Sequence, residues 1–266
     1  AARALGRIGG AAVPALEGAL STGSPATRLA VCEGLLRCAE AMPGPEAAAL
    51  YDKLRALPNL PHHLRVAALS GAIRSRGTKG VPLMVEAIRT GSPVPAADAI
   101  RVSMDLLGAE ATQALVGALA EANEEKQILL LQTLAYRGDA TAAPALVALA
   151  QSGSASRRIA AIQSLVQLRN SSSLPVLAAL LKDPEPAVAG AALTGLSGWP
   201  GQEADATVVA LLTGSDTKTR IAAIGAAGQR RITAALPALL KAAGDPDARV
   251  AGAGFKVLAE LAGLAE

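Results

Sequence analysis

The chain has 266 residues, with 25 Lys and Arg against 22 Asp and Glu and a formal net charge of +3. It is 51% hydrophobic but only 2% aromatic, so alanine and aliphatic side chains supply almost all of its apolar surface. That composition speaks against a β-architecture, which leans on aromatic and β-branched residues, and the basic residues are scattered with no block of like charge, which speaks against a nucleic-acid tail. Alanine-rich cores arise where many helices approach closely, so the expected fold is all-α.

Two further classes fall away. Cys32 and Cys38 lie six apart on one expected helix, where their side chains diverge by about 240° around the axis. No disulfide framework follows, which permits a reducing compartment such as the cytoplasm without fixing one. No uninterrupted apolar run reaches the ~18 residues that span a bilayer.

In chain order, residues 1–9 read as the end of a second helix. Two-helix units follow at about 10–42, 43–77, 78–108, 109–138, 139–170, 171–199, 200–231 and 232–263. Two markers set this division. The first is an apolar residue, a proline and a further apolar pair, as in Val13-Pro14-Ala15-Leu16, Val81-Pro82-Leu83-Met84, Ala143-Pro144-Ala145-Leu146, Leu174-Pro175-Val176-Leu177 and Leu236-Pro237-Ala238-Leu239. Such a proline fits the opening turn of a helix, whose N–H groups have no partner inside it. The second marker opens the other helix: Arg28-Leu29-Ala30-Val31, Arg65-Val66-Ala67-Ala68, Arg158-Ile159-Ala160-Ala161, Arg220-Ile221-Ala222-Ala223 and Arg249-Val250-Ala251-Gly252. Ser, Asp or Gly ahead of it supplies an N-cap. Turn signals lie between the markers, at Gly23-Ser24-Pro25, Gly91-Ser92-Pro93, Asp183-Pro184 and Asp245-Pro246. The unit at 43–77 is lengthened by Pro43-Gly44-Pro45 and Pro58-Asn59-Leu60-Pro61.

Repeats of this kind bury each helix pair against its neighbours. The expected architecture is a right-handed α-α superhelix, an α-solenoid of about eight stacked hairpins, continuous over 1–266 as one domain, with a long concave surface. Ala1 begins inside a unit, and Leu258, Leu261 and Leu264 carry an apolar stripe to the end. The expectation is therefore a piece of a longer array.

The Pro-Ala-Leu first helix, the Asp-Pro turn and the Arg-Val-Ala second helix, as in Asp245-Pro246-Asp247-Ala248-Arg249-Val250-Ala251, resemble HEAT repeats. The similarity is greatest to the short bacterial kind also found in phycobilisome lyase subunits, and it extends over essentially the whole chain. It implies an α-solenoid that binds proteins. It also implies that the marker arginines contact turn aspartates between repeats.

Candidate chemistry is sparse. His62 and His63 are adjacent and point about 100° apart, a poor chelating pair. Cys32 and Cys38 read as small buried hydrophobes. No His-Glu dyad of the kind in HEAT-type hydroxylases is present, and glycines follow the repeat punctuation instead of forming phosphate loops. No catalytic residue, cofactor or metal is expected. One pattern carries a functional hint: second helices end in arginine, at Arg37, Arg74, Arg76, Arg137, Arg169, Arg230 and Arg231. Stacked, these would form a positive ridge for an acidic protein segment or a polyanion, or simply complement helix C-termini. Trp199 reads as packed under its turn. The leading function is a non-catalytic scaffold for a protein or peptide partner on the concave face, with a nucleic-acid or polyanion binder using the arginine ridge, or a lyase-like or chaperone subunit acting on a chromophore protein, as alternatives.

Overall fold

A computed structural model describes residues 2–90, 93–106 and 108–263. Among them every regular element is helical. Leu264 and the Gly91-Ser92 turn lie outside the described residues.

The described residues fall into two compact units, 1–133 and 134–266. The first holds α1 (Ala2–Leu5), α2 (Val13–Thr22), α3 (Pro25–Glu40), α4 (Gly44–Arg55), α5 (His62–Arg74), α6 (Val81–Thr90), α7 (Pro93–Val102) and α8 (Ala109–Glu121), and the boundary falls within α9 (Glu124–Arg137). The second continues with α10 (Ala143–Gln151), α11 (Ala155–Leu168), α12 (Leu174–Leu180), α13 (Pro186–Ser197), α14 (Glu203–Leu212), α15 (Thr217–Gln229), α16 (Leu236–Ala243) and α17 (Ala248–Ala262).

Helices pair as hairpins: α2 with α3, α4 with α5 and α6 with α7 in the first unit, then α10 with α11, α12 with α13, α14 with α15 and α16 with α17 in the second. Second helices stack on one another, α1, α3, α5 and α7 in one unit and α11, α13, α15 and α17 in the other. The all-helical stacked-hairpin architecture expected from the repeat is thus present in each unit.

Proline sits at the start of α2, α10, α12 and α16, in the opening turn where no helical hydrogen bond is lost. Each of these starts is preceded by a 3-10 turn, at Gly9–Ala12, Ala140–Ala142, Ser171–Ser173 and Thr233–Ala235, which the sequence reading did not foresee. Several second helices are capped by side chains, although α5 and α13 are not. Ser24, Ser154, Asp216 and Asp247 accept backbone N–H bonds from the first turns of α3, α11, α15 and α17, and Asn123 does so for α9.

The stacking face of the second helices is built from small residues at a fixed register. Ala161, Ala192 and Ala223 recur at steps of 31 and are at most 1% exposed. Ser164, Gly195 and Ala226 form a parallel buried row. A Cβ on Gly195 would stand 2.8 Å from Val166 Cγ2 of the preceding second helix. In the first unit, a Cβ on Gly71 of α5 would fall on the Tyr51 ring of α4. Close approach of backbones is what the alanine-rich composition provides. The two rows continue in α17 at Gly254 and Val257, both buried, whereas Phe255, off this face, is 63% exposed.

Candidate functional site

The marker arginines form a repeated network in the second unit. Arg158 opens α11, and its Nε donates to Ala150 O at the end of α10, 3.1 Å away. Its Nη1 donates to Asp183 Oδ1 at 3.1 Å, 25 residues on, and Nη2 bonds Oδ2 of the same carboxylate. Arg220 repeats this arrangement. Nε donates to Leu212 O at 3.2 Å, and Nη2 bonds Asp245, again 25 residues on. Each aspartate also accepts a backbone N–H two residues ahead, from Glu185 and Asp247. The guanidinium, and next the N–H, stabilise each carboxylate and hold its pKa below the ordinary value.

Other marker positions depart from the pattern for local reasons. Arg65 Nη2 turns back to Leu60 O at 3.0 Å. Arg249 pairs with Asp247 of its own helix start and not with a following turn. Gln127, in register with Arg158, makes the carbonyl bond, from Nε2 to Leu119 O, eight residues back.

Six of the seven arginines at second-helix ends divide into two groups. Arg37, Arg169 and Arg231 are exposed, the last two with φ near 55°. Three others are engaged. Arg74 Nε bonds Asp105 Oδ2 at 2.6 Å. Arg76 bonds Asp52 of the first helix in its own hairpin and Ala72 O. Arg230 is the most enclosed: its side chain is 7% exposed, paired with Asp205. Its Nη1 reaches Trp199 O at 2.7 Å and its Nη2 reaches Gly201 O at 2.7 Å, with Leu196 O and Ser197 O at 3.3 Å. Arg230 therefore complements the C-terminus of α13, not that of its own helix. Arg137, half-buried, has its pKa lowered by desolvation. Trp199, 4% exposed, is packed under the turn.

The first unit contains an open apolar cleft of about 640 Å³ between α2, the start of α3 and the segment 57–61. Leu20, Pro25, Leu29, Leu57 and Leu60 give it apolar walls, and Arg28 and Asn59 also line it. On its rim Lys53 Nζ bonds Glu17 Oε1 at 2.8 Å.

Cys32 and Cys38 are buried free thiols, and burial raises their pKa. His62 and His63 are exposed at the start of α5. Among the described residues no group of three or more His, Cys, Asp or Glu side chains is placed to hold a metal. No described helix is long and apolar enough to cross a membrane.

Stacked two-helix units tied by register-repeated side chains define an α-helical repeat protein. Its residues 112–197 match the family model for HEAT repeats, and residues 1–22 match that for the PBS lyase HEAT-like repeat. These two segments carry HEAT-type repeats. No curated protein sequence matches it. Among solved structures, Kap121p bound to Nup53p is similar with a TM-score of 0.50 at 16% identity, over 94% of this chain and 34% of that one. The complex of CpcE and CpcF of phycocyanin lyase from Nostoc sp. PCC7120 is similar with a TM-score of 0.42 at 19% identity, over 82% of this chain and 94% of that one. Human deoxyhypusine hydroxylase in complex with glycerol gives a TM-score of 0.38 at 15% identity, over 94% and 95%. The chain thus spans about a third of the length of Kap121p.

Proposed function

We propose that the protein is a non-catalytic scaffold that binds a peptide or protein segment along the exposed face of its second helices. The observation that supports this reading is where the strongest polar groups are used. Arg158, Arg220 and Arg230 are bonded to aspartates and carbonyl groups across helices and repeats. A scaffold needs such fixed spacing between hairpins, because a pre-ordered surface loses less entropy when a partner docks.

The test is to isolate a partner from the source organism, purify it and map its footprint by hydrogen exchange at two salt concentrations. Protection is expected on exposed second-helix surfaces such as those around Arg37 and Arg169, with affinity changing less than about tenfold between 50 and 200 mM salt. A loss of about a thousandfold or more over that range would instead mark a polyanion ligand. Covalent attachment of a chromophore to a coexpressed acceptor would overturn the non-catalytic reading.

A further inference from the structure

The Arg158 and Arg220 networks define what a marker arginine requires: a carbonyl behind it and a carboxylate in the turn of the following hairpin. That carboxylate occupies a fixed place. Asp183 and Asp245 each stand three residues before the first residue of a second helix, Pro186 of α13 and Ala248 of α17. In the first unit Arg65 turns back to Leu60 O, and the other marker is Arg28, whose following second helix, α5, begins at His62. Three residues before His62 the chain has Asn59.

Arg28 therefore has an amide at the place where Arg158 and Arg220 have an acid. The exposed guanidinium has no described partner of its own, and the nearby cation Lys53 is already bonded to Glu17. Asn59 adopts φ 57°, a left-handed conformation that Asn and Asp tolerate better than other side chains. The Pro58–Pro61 insertion moves this turn outward in sequence, to 31 residues beyond Arg28, and supplies one wall of the apolar cleft. Arg28 and Asn59 thus line the same cleft as the apolar side chains, with Leu29, 37% exposed, among them.

We infer that this cleft binds a peptide segment presenting one carboxylate beside an apolar side chain, the carboxylate taking the place on Arg28 that Asp183 takes on Arg158. The charge missing from the repeat selects the acid, and the Leu20–Leu29–Leu60 wall takes the apolar neighbour. A volume of about 640 Å³ lies within the range of ordinary ligand clefts, about 300–1,000 Å³. A peptide supplies both groups on one short backbone, which a free carboxylate does not. The inference rests on the scaffold reading above and gives it a site.

The experiment uses the whole chain and two fluorescent peptides that differ only in Glu-Leu-Leu against Gln-Leu-Leu. The Glu peptide is expected to bind at least about tenfold more tightly, one charge-assisted contact. Arg28→Gln removes the guanidinium, and Asn59→Asp supplies an internal acid that competes for it. Each should weaken the Glu peptide about tenfold and abolish the Glu–Gln difference, with unchanged helical content by circular dichroism. Hexanoate, a free apolar carboxylate, is expected to bind at least tenfold more weakly than the Glu peptide, and equal affinity would overturn the peptide assignment. Equal affinity for both peptides, indifference to the two substitutions, or no saturable binding up to about 1 mM would overturn the inference. Such failures would leave the second-helix footprint of a native partner, and hence the scaffold reading, to stand or fall separately.

Discussion

Arg158 and Asp183 lie in successive hairpins and are joined through both guanidinium Nη atoms, with side chains only 13% and 6% exposed. Arg220 and Asp245 repeat the link 62 residues later. The hairpin between them lacks it, because Ala189 stands at the register position. The link therefore alternates along the second unit, while apolar stacking of Ala192, Leu196 and Val188 is present where it is absent.

Acid should loosen this unit in a definite window. Both carboxyls titrate below the ordinary 3.8 in the folded chain, so the unfolded chain binds more protons as pH falls. The stabilisation is fully present above the unfolded pKa, near pH 4, and is lost as pH falls through the lower folded values. Urea midpoints at pH 7, 4 and 3 should fall more steeply for the wild type than for an Asp183→Asn/Asp245→Asn variant. Parallel curves would show that these carboxylates do not drive the acid response.

Arg230 should be worth more than any exposed arginine of its set. Arg230→Met leaves Asp205 unpaired and the carbonyls ending α13 without their donor, a loss of about 3 kcal/mol by urea denaturation. Arg169→Met, at an exposed position, should cost less than about 0.5 kcal/mol.

Gly71 is required by the Tyr51 ring lying against it. Gly71→Ala should destabilise by about 1–3 kcal/mol through overpacking, despite alanine's better helix propensity. Adding Tyr51→Leu, which removes the ring edge, should recover part of that loss. No recovery would place the strain elsewhere.

The hairpins were legible in the sequence because proline, arginine and turn residues each have a local reason to recur. Ser24, Ser154 and Asp216 cap their helices as their positions imply. Side-chain targets were less legible. Arg230 looked like a cation for its own helix end, but its acceptors lie in α13 and beyond, 29 to 34 residues back in the chain. Arg74 and Arg76 likewise looked free, and their aspartates sit on neighbouring helices. The 3-10 turns ahead of the prolines have no strong residue signature. Asn59 was visible as part of an insertion, but its equivalence to Asp183 emerges only once the start of α5 is fixed.

Double-mutant cycles at register-equivalent pairs test the central claim, that the repeat joins hairpins through an arginine and a turn acid and lacks that acid at Arg28. The coupling between Arg158 and Asp183 is expected to exceed about 1 kcal/mol, whereas that between Arg28 and Asn59 is expected near zero and should rise in the Asn59→Asp background. Negligible coupling at Arg158–Asp183, or equal coupling at both pairs in the wild type, would contradict it.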